Sequence, residues 1–403
     1  MKFLRPLMRH LKKLRSARAA AAAAHGNRVL FTDDLLVAYL IAFFNPACRS
    51  LRAIEDLSQT PAAQAHLRVG RVCRSTTSDA NALFDPRLLD PLVGQLRARL
   101  PDLPHRDATL GRLLRDVRLV DGSFFAAAAD VAFAITCRNG RSGSKGPAHP
   151  KVRLDLHLAG DTLTPARVAV SGKGRADSEP RSAARMVERG AVYVCDRGFV
   201  SFPLPDAVID GGADLVLRAK HDPNFAPREE TPLDEQDRAA GVISDRVGRL
   251  TGSPHCRAPR QEVREVLVAD PDRPDAPPAI RLITTILDLP ARVIAALYRW
   301  RWQVELFFRW LKVHANFRHL TSHSRGGMTL GFYVAVIAVL LMYQFTGRPV
   351  SKYAYNLLSL VAAGMATPDP ALAIRAARER ERANDRKTAA ARAARRAAEK
   401  TPK

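Results

Sequence analysis

Apolar residues recur at helical spacing through the first quarter of the chain. Between residues 29 and 110 this pattern predicts several amphipathic helices. Thr32 is suited to cap the first helix and Ser50 a second one that runs through Leu57, because a hydroxyl can accept from the free backbone N–H groups of a first turn. The stripe of the first helix consists of Leu35, Leu36, Tyr39, Leu40, Phe43 and Phe44. The first part of the chain is therefore predicted to be helical.

A further helix is predicted to start at Arg74, where the segment 74–81 combines an arginine with short polar side chains. Such residues suit a helix N-terminus that enters a DNA groove. Ser, Thr, Asp and Asn also cluster at ordinary helix caps, so both interpretations stay open.

The pattern changes to strands near residue 117. Short apolar runs of strand length occupy 117–125, 131–138, 151–158, 191–195 and 214–219. A helix is predicted over 180–188 and a long one from Pro290, while 221–279 is rich in Pro, Asp and Arg with weak strand signals at 242–247 and 263–268. This order predicts an α/β fold, in which a mixed sheet carries flanking helices and an insertion precedes the last helices.

The charge of the chain is strongly positive. Its 403 residues include 63 Lys or Arg against 40 Asp or Glu, a formal net charge of +23. Residues 1–28 hold eight basic residues and no acid, and residues 372–403 hold eleven basic residues and four acids. An excess of this size indicates a polyanionic partner such as nucleic acid. The two ends are either solvated tails or arms that contact phosphates.

Cysteine and hydropathy patterns exclude several classes. The five cysteines are scattered and never spaced as CxxC, which argues against a zinc ribbon or a disulfide framework. The longest apolar run, 332–345 with a single glutamine at 344, is shorter than the roughly 20 residues of a spanning helix, so we interpret it as a buried helix. Residues 1–25 lack the apolar core of a secretory signal. We expect a cytoplasmic protein with no membrane partner.

Two aspartates stand beside predicted buried strands. Asp121 follows Val120 and precedes Gly122, and Asp196 ends the strand 191–195. Carboxylates at strand ends that meet in one cleft are suited to Mg²⁺, which prefers oxygen ligands. An isolated aspartate after a strand is equally a turn or cap residue. A third acid is needed to support a metal site.

The segment 298–312 supplies the third acid on a helix with a narrow polar stripe. At about 100° per residue, Tyr298, Arg301, Glu305 and Lys312 project within an arc of roughly 60°. The remaining faces are apolar, and a buried helix does not retain four polar groups without something for them to bind. The three tryptophans of the chain, Trp300, Trp302 and Trp310, also lie here. They either pack in the core or stack on unpaired bases.

These residues resemble a known family. Tyr298-x2-Arg301-x3-Glu305-x6-Lys312 matches the YREK signature of the DDE transposases in the IS-four group of insertion sequences. The segments 119–123 and 194–199 are similar to that family's two aspartate strands, with separations of 75 and 109 residues between the three acids. The likeness extends from about residue 30 to about residue 345, and Ser123 stands where the family commonly has Thr.

The resemblance implies a fold, a cofactor and an activity. It implies a ribonuclease-H-like fold with a β-rich insertion before the catalytic glutamate. It also implies that Asp121, Asp196 and Glu305 are catalytic and bind two Mg²⁺ ions, for which Mn²⁺ can substitute. Two such ions can activate a nucleophile and stabilise the leaving oxygen of a phosphodiester.

The same resemblance implies the DNA contacts. Tyr298, Arg301 and Lys312 are expected to contact phosphates near the transposon end, and their side chains suit that role. Trp300 and Trp302 are the candidates for stacking on bases. The partners are double-stranded DNA at the terminal inverted repeats and at the target, and the protein is expected to act as a dimer on DNA because two ends are processed together.

The expected organisation has six parts. They are a basic N-terminal arm (1–28), a helical DNA-binding region (29–112), the first part of the catalytic domain (113–220), a β-rich insertion (221–286), the catalytic helix with C-terminal helices (287–366) and a basic Ala/Arg-rich tail (367–403). The expected function is cleavage and strand transfer of an insertion sequence. A catalytically silent DNA-binding repressor and a structure-specific nuclease of the same fold are the alternatives.

Overall fold

The structure is a computed structural model, and it describes most of the chain between residues 32 and 363. The described residues are 32–64 except 46 and 49, 71–138 except 106, 148–174, 177–200, 203–219, 225–251, 261–269, 280–363 except 316, 318 and 319, and scattered positions after 363. The predicted arm 1–28 and residues 139–146 lie outside these residues, as does almost all of the predicted tail.

The described residues of the N-terminal region contain six α-helices. They are α1 (Thr32–Phe43), α2 (Leu51–Ser58), α3 (Pro61–Gln64), α4 (Arg74–Leu83), α5 (Asp90–Arg97) and α6 (Ala108–Leu113). The Ser50 hydroxyl caps α2 by accepting from the Ala53 N–H at 3.2 Å, as the sequence predicts. The predicted start of α4 at Arg74 is also confirmed.

The central sheet begins with strands β1 to β6. Their bounds are β1 (Val117–Ala126), β2 (Ile135–Arg138), β3 (Ala148–Ala159), β4 (Pro165–Ser171), β5 (Val192–Cys195) and β6 (Asp214–Arg218). β3 is antiparallel to β1 and pairs on its other edge with β2 and β4, whereas β5 and β6 run parallel to β1. The strands β4, β3, β1, β5 and β6 therefore lie side by side in this order.

Helices α7 (Glu179–Ala184) and α8 (Pro203–Asp210) connect the parallel strands. Alternate residues of β5 reach opposite faces of the sheet. Tyr193 packs with α8 in one apolar cluster, while Val194 belongs to the main core on the other face. Both faces of this sheet are covered.

Where the structure describes the segment between β6 and the last helices, it has four strands and a short helix. They are β7 (Phe225–Glu230), α9 (Glu235–Ala239), β8 (Val242–Leu250), β9 (Val263–Val268) and β10 (Ile280–Thr284). β10 pairs with β6, and β9, β8 and β7 follow it in antiparallel order, so the insertion continues the central sheet. The predicted α/β fold, with a mixed sheet, flanking helices, a β-rich insertion and a helical N-terminal region, is confirmed. Its ribonuclease-H-like character stays a prediction.

The C-terminal part contains α10 (Ala291–Trp300), α11 (Trp302–Arg309), a π-helical turn (Trp310–His314), α12 (Arg325–Thr346) and α13 (Lys352–Ala362). α12 is the buried helix predicted from the apolar run, extended to 22 residues. It contacts α1, α4 and α5, and the Tyr343 hydroxyl donates to the Pro101 carbonyl. Within the described ranges it is the one helix long and apolar enough to cross a membrane, but 78% of its most apolar window is buried inside the protein.

Some elements differ from the sequence expectation. β4 and β7 were missed; β4 starts with a proline at the edge of β3 and β7 is mostly exposed, so neither has the apolar run of a central strand. α7 ends at Ala184 rather than near Glu188. The Glu188 N–H donates to the Tyr193 hydroxyl at 2.7 Å, which removes it from a helical ladder.

Candidate active site

Asp121 and Asp196 lie next to each other because their strands are parallel neighbours. The register of β1 and β5 places Val120 opposite Cys195, so the aspartates follow at the same level. The Asp121 carboxylate accepts from the Gly122 N–H at 2.8 Å. The Asp196 carboxylate accepts from the Arg197 N–H at 2.7 Å and caps a short 3₁₀ turn. Asp196 thus has the cap role that an isolated aspartate after a strand can have. It also lies beside Asp121, as the sequence predicts.

The expected long helix is divided at Arg301, between α10 and α11. Apolar residues of both helices, including Leu297 and Val304, are fully buried in the main core. The polar stripe faces the two aspartates. The Tyr298 hydroxyl donates to Asp196 Oδ1 at 3.2 Å. Glu305 lies one turn after Arg301 and is about one third exposed.

Arg301 is the centre of the charge arrangement. Its Nη2 donates to Glu305 Oε1 at 2.7 Å and lies 4.0 Å from Asp196 Oδ2. Burial opposes the guanidinium charge, but Asp196, Tyr298 and Glu305 outweigh it, so the pKa of Arg301 is raised. The side chain is only 7% exposed, and its buried Nε makes no hydrogen bond. The contacts of the guanidinium with the acids are therefore made through Nη2.

The surroundings of Asp121 disfavour the charged form of its carboxyl group. Burial raises its pKa to about 6, opposed by the Gly122 N–H and by Arg301 and reinforced by the negative charges of Glu305 and Glu179. An acid in such surroundings gains from a nearby cation. The donor set of Asp121, Asp196 and Glu305 consists of hard carboxylate oxygens, which fit Mg²⁺ or Mn²⁺.

The carboxylates do not form a closed ligand set in this structure. Within the described part of the chain, no three His, Cys, Asp or Glu side chains are grouped so that they could hold a metal ion. Glu305 is engaged by Arg301 instead. The residues fit a divalent cation by chemistry and by charge, provided that Glu305 exchanges its ion pair for that cation.

Lys312 lies in the π-helical turn and joins it to β1. Its Nζ donates to the Ser123 hydroxyl and to the Phe124 carbonyl, both at 2.7 Å, and lies 4.7 Å from the centre of the Phe125 ring. The Ser123 hydroxyl, at the position where the family that the sequence resembles commonly has Thr, therefore accepts a hydrogen bond from Lys312. Lys312 holds the strand that carries Asp121 against the helical segment that carries Glu305.

The tryptophans have different surroundings. Trp300 donates from Nε1 to the Gly160 carbonyl at 3.1 Å and packs edge-on against His105, so its indole takes the core-packing alternative in this structure. Trp310 is buried among aromatic rings. Trp302 is 48% exposed and is the accessible one of the three.

Two further residues reach the site and were not foreseen. Arg218 ends β6, and its Nη1 lies 4.0 Å from Asp196 Oδ1 and 3.4 Å from the Tyr298 hydroxyl. The rule that ends of parallel strands share one edge would have found it, because β6 is parallel to β5. Glu179, at the start of α7, lies beside Gly122; no spacing pattern in the sequence indicates it.

Comparison with known proteins agrees with this geometry. The transposase DDE domain family matches residues 112–341, more than half of the chain and the whole of the site described above. The chain belongs to this family. The matched residues run from α6 through the sheet and insertion into α12.

Curated relatives are also transposases by name. A putative transposase, y4zB, of Sinorhizobium fredii is 31% identical over 159 residues, which cover 39% of this chain and 43% of the relative. A probable transposase of insertion sequence element IS5377 from Geobacillus stearothermophilus is 26% identical over 151 residues, 38% of each chain. The alignments thus span less than half the length of these relatives.

Among solved structures, the chain resembles a piggyBac transposase in a synaptic complex with hairpin DNA. The TM-score is 0.39 at 10% identity, and the alignment covers 90% of this chain and 75% of the other. The likeness is remote.

Proposed function

We propose that the protein is a DNA transposase of an insertion sequence, which cleaves the terminal inverted repeats and joins the ends to a target. The observation that carries this proposal is the juxtaposition of Asp121, Asp196 and Glu305 around one buried arginine, within a chain of the transposase DDE domain family. We further place it in the IS-four group. The four signature residues support that assignment through their contacts. Tyr298 donates to Asp196, Arg301 to Glu305, and Lys312 to Ser123.

The proposed cofactor is a pair of Mg²⁺ ions, replaceable by Mn²⁺. Asp121, Asp196 and Glu305 would hold them, and the bound ions would supply an activated oxygen nucleophile and charge stabilisation at the phosphodiester. Tyr298 orients the Asp196 carboxylate through its hydroxyl. Lys312 fixes β1 at Ser123, two residues after Asp121. These contacts hold the two aspartates in place before any ligand arrives.

The proposed DNA contacts combine the signature residues with exposed groups. Once Glu305 is released, the Arg301 guanidinium has free donors for a phosphate. Tyr298 and Lys312 are the other proposed phosphate ligands, and exposed Trp302 is the proposed base-stacking residue. On α4, Ser75, Thr76 and Ser78 are exposed, which supports insertion of that helix into a groove.

The net charge of +23 predicts how the complex behaves in salt. Each neutralised phosphate releases counterions, so affinity for DNA falls steeply as salt rises. We propose a dimer on DNA, since two element ends must be processed together. Light scattering of the complex with end DNA checks this, and one protein chain for every two ends would contradict it.

A cleavage assay tests the function. The substrate is the DNA that flanks the reading frame with its short inverted repeats, incubated with Mg²⁺ and compared with random DNA. The wild-type protein is expected to cut at the repeat ends, and Asp121→Asn to bind the same DNA without cutting it. Metal-dependent cutting by Asp121→Asn would contradict the site assignment, and equal cutting of random DNA would favour a nuclease. Absence of cutting by the wild type would favour a repressor.

A further inference from the structure

Glu179 brings a fourth carboxylate between the turns that carry the two aspartates. It is the first residue of α7, and its side chain is 27% exposed. A methyl group placed on Gly122 would lie 3.1 Å from Glu179 Oε1, and one placed on Gly198 would lie 3.3 Å from Oε2. Gly122 directly follows Asp121, and Gly198 stands two residues after Asp196. Both oxygens of Glu179 thus border the backbone of the site.

The two glycines are what allow this approach. A Cβ at Gly122 would also come within 2.9 Å of the Arg153 side chain and 3.1 Å of Asp155 Oδ1. A side chain at this position would therefore crowd Glu179, Arg153 and Asp155. The space left by Gly122 connects Glu179 to the site.

Arg153, the basic neighbour of Glu179, makes its hydrogen bonds with other residues. The Arg153 guanidinium already donates to Asp155 Oδ1 at 2.5 Å and to the Asp177 carbonyl at 2.7 Å. Glu179 forms a longer ion pair with Arg153, with 3.7 Å between its Oε1 and Arg153 Nε, which is beyond hydrogen-bond distance. Arg153 therefore has its partners without Glu179.

We propose that Glu179 is a positioning residue of the active site, which binds a hydrated divalent cation together with Asp121 and Asp196. Mg²⁺ keeps several of its waters when one or two carboxylates bind it directly, so a nearby acid can hold the ion through those waters. The inference rests on the proposed function. It adds an acid from α7 to a site otherwise built from two strands and one helix.

The charge relationships agree with this placement. Burial and the charge of Glu305 raise the pKa of Asp121, and the charge of Glu179 adds to them. Burial raises the pKa of Glu179 itself, and Asp155 adds to the effect while Arg153 opposes it. A cation between these acids would relieve their repulsion.

Binding of Mn²⁺ to the full-length protein without DNA is the direct test. Free Mn²⁺ is followed by electron paramagnetic resonance for the wild type, for Glu179→Gln and for the control Glu235→Gln. Glu235 is the first residue of the short helix α9, as Glu179 is of α7, so the control matches the loss of an acid at a helix start. Glu179→Gln is expected to weaken Mn²⁺ binding about tenfold, the lower range for groups that support a metal ligand shell. The control is expected to bind as the wild type does.

Unchanged Mn²⁺ affinity of folded Glu179→Gln would overturn the inference. Asp121→Asn is titrated in parallel: if it loses Mn²⁺ binding while Glu179→Gln does not, the role of Glu179 fails and the proposed function stands. If Asp121→Asn also binds as the wild type does, the proposed metal site fails. Thermal unfolding in EDTA checks the fold of each variant. If Glu179→Gln does not fold, Glu179→Asp decides, with weaker binding expected and unchanged binding contradicting the role.

Kinetics give a second readout. In the DNA cleavage assay, Glu179→Gln is expected to raise the half-saturating Mg²⁺ concentration, while kcat at saturating Mg²⁺ recovers most of its wild-type value. A loss of kcat that no Mg²⁺ concentration restores would contradict a role through the hydrated ion.

Discussion

Arg301 and Glu305 form an ion pair across one helical turn, with 2.7 Å between Nη2 and Oε1. The pair places a buried positive charge among the acids of the proposed metal site. Asp196 Oδ2 lies 4.0 Å from the same guanidinium nitrogen. Arg301 thus compensates the acids while no divalent cation binds there.

Replacement of Arg301 by Gln is expected to destabilise the metal-free protein by about 1–3 kcal/mol, because the carboxylates lose their charged hydrogen-bond partner. Added Mn²⁺ should recover part of this loss, so it should raise the melting temperature of the variant more than that of the wild type. Thermal unfolding in EDTA and in Mn²⁺ measures both effects. Arg309→Gln, an exposed arginine of the same helix, is the control. Equal Mn²⁺ increments for wild type and variant would argue against charge compensation.

Asp121 predicts a pH dependence of stability. Its pKa rises from about 3.8 to about 6 on folding, so the folded state favours its protonated form. The stabilisation is complete below the unfolded pKa and is lost as pH rises through the folded pKa. Asp121→Asn imitates the protonated form. It should therefore exceed the wild type in stability above pH 6, by on the order of 2–3 kcal/mol at 1.36 kcal/mol for each pKa unit.

Denaturant unfolding in EDTA across this pH range provides the measurement for Asp121. The difference in stability between the variant and the wild type should disappear below about pH 4. There the Asp121 carboxyl becomes protonated in the unfolded as well as in the folded state. A constant difference at every pH would mean that Asp121 does not titrate as described.

The hydrogen bonds of Lys312 are expected to stabilise the packing of β1 against the π-helical turn. Lys312→Met removes the donors to Ser123 and Phe124 and should cost about 1–2 kcal/mol. Ser123→Ala leaves the bond to the Phe124 carbonyl and should cost less. A double-mutant cycle by chemical denaturation separates the shared contact. Additive effects of the two substitutions would show that Lys312 and Ser123 do not interact.

The inserted strands are held to α10 through a buried ion pair. Arg264 donates to Asp245 through Nε at 2.6 Å and Nη2 at 2.5 Å, and also to the Leu289 carbonyl just before α10. Arg264→Met leaves Asp245 buried without its partner and should cost about 3–5 kcal/mol. The double variant Arg264→Met/Asp245→Leu should recover much of this loss in chemical denaturation. A double variant less stable than the single one would contradict this account.

Substitutions of Trp302 and Trp300 are expected to have opposite effects on stability and on DNA binding. Trp302→Ala removes an exposed ring and should leave stability within about 0.5 kcal/mol while it weakens binding to single-stranded DNA. Trp300→Phe loses the bond to the Gly160 carbonyl and should cost about 1 kcal/mol with little change in DNA affinity. Unfolding curves and fluorescence anisotropy with labelled DNA measure the two effects. Unchanged affinity of Trp302→Ala would contradict base stacking.

Patterns local in sequence were the predictable part of this protein. The Ser50 cap, the start of α4 and the buried strand before Asp196 follow from local chemistry, and the structure has all three. The parallel pairing of β5 and β6 could be anticipated because buried strands separated by a helix tend to run parallel. That of β1 and β5 could not, since β2, β3 and β4 lie between them in the chain. The family resemblance then indicated Glu305 as the third acid.

The rest depends on contacts that spacing does not encode. The sequence predicted an unbroken helix through Arg301, where the structure divides it. Helical spacing brings Arg301 to Glu305, but it does not show that the guanidinium also lies 4.0 Å from Asp196. Glu179 approaches the site because two glycines leave room for it, which only the packed structure reveals. Trp300 finds its acceptor at Gly160, 140 residues away along the chain.

The central claim is that Asp121, Asp196 and Glu305 bind divalent cations at one place. Localised cleavage with Fe²⁺ in place of Mg²⁺ tests it most directly, because ascorbate and peroxide then generate hydroxyl radicals that cut the protein backbone beside the bound metal. The account predicts cuts near residues 121, 196 and 305 that excess Mg²⁺ suppresses and that Asp121→Asn loses. Cuts confined to other parts of the chain, or cuts at only one of the three acids, would contradict it.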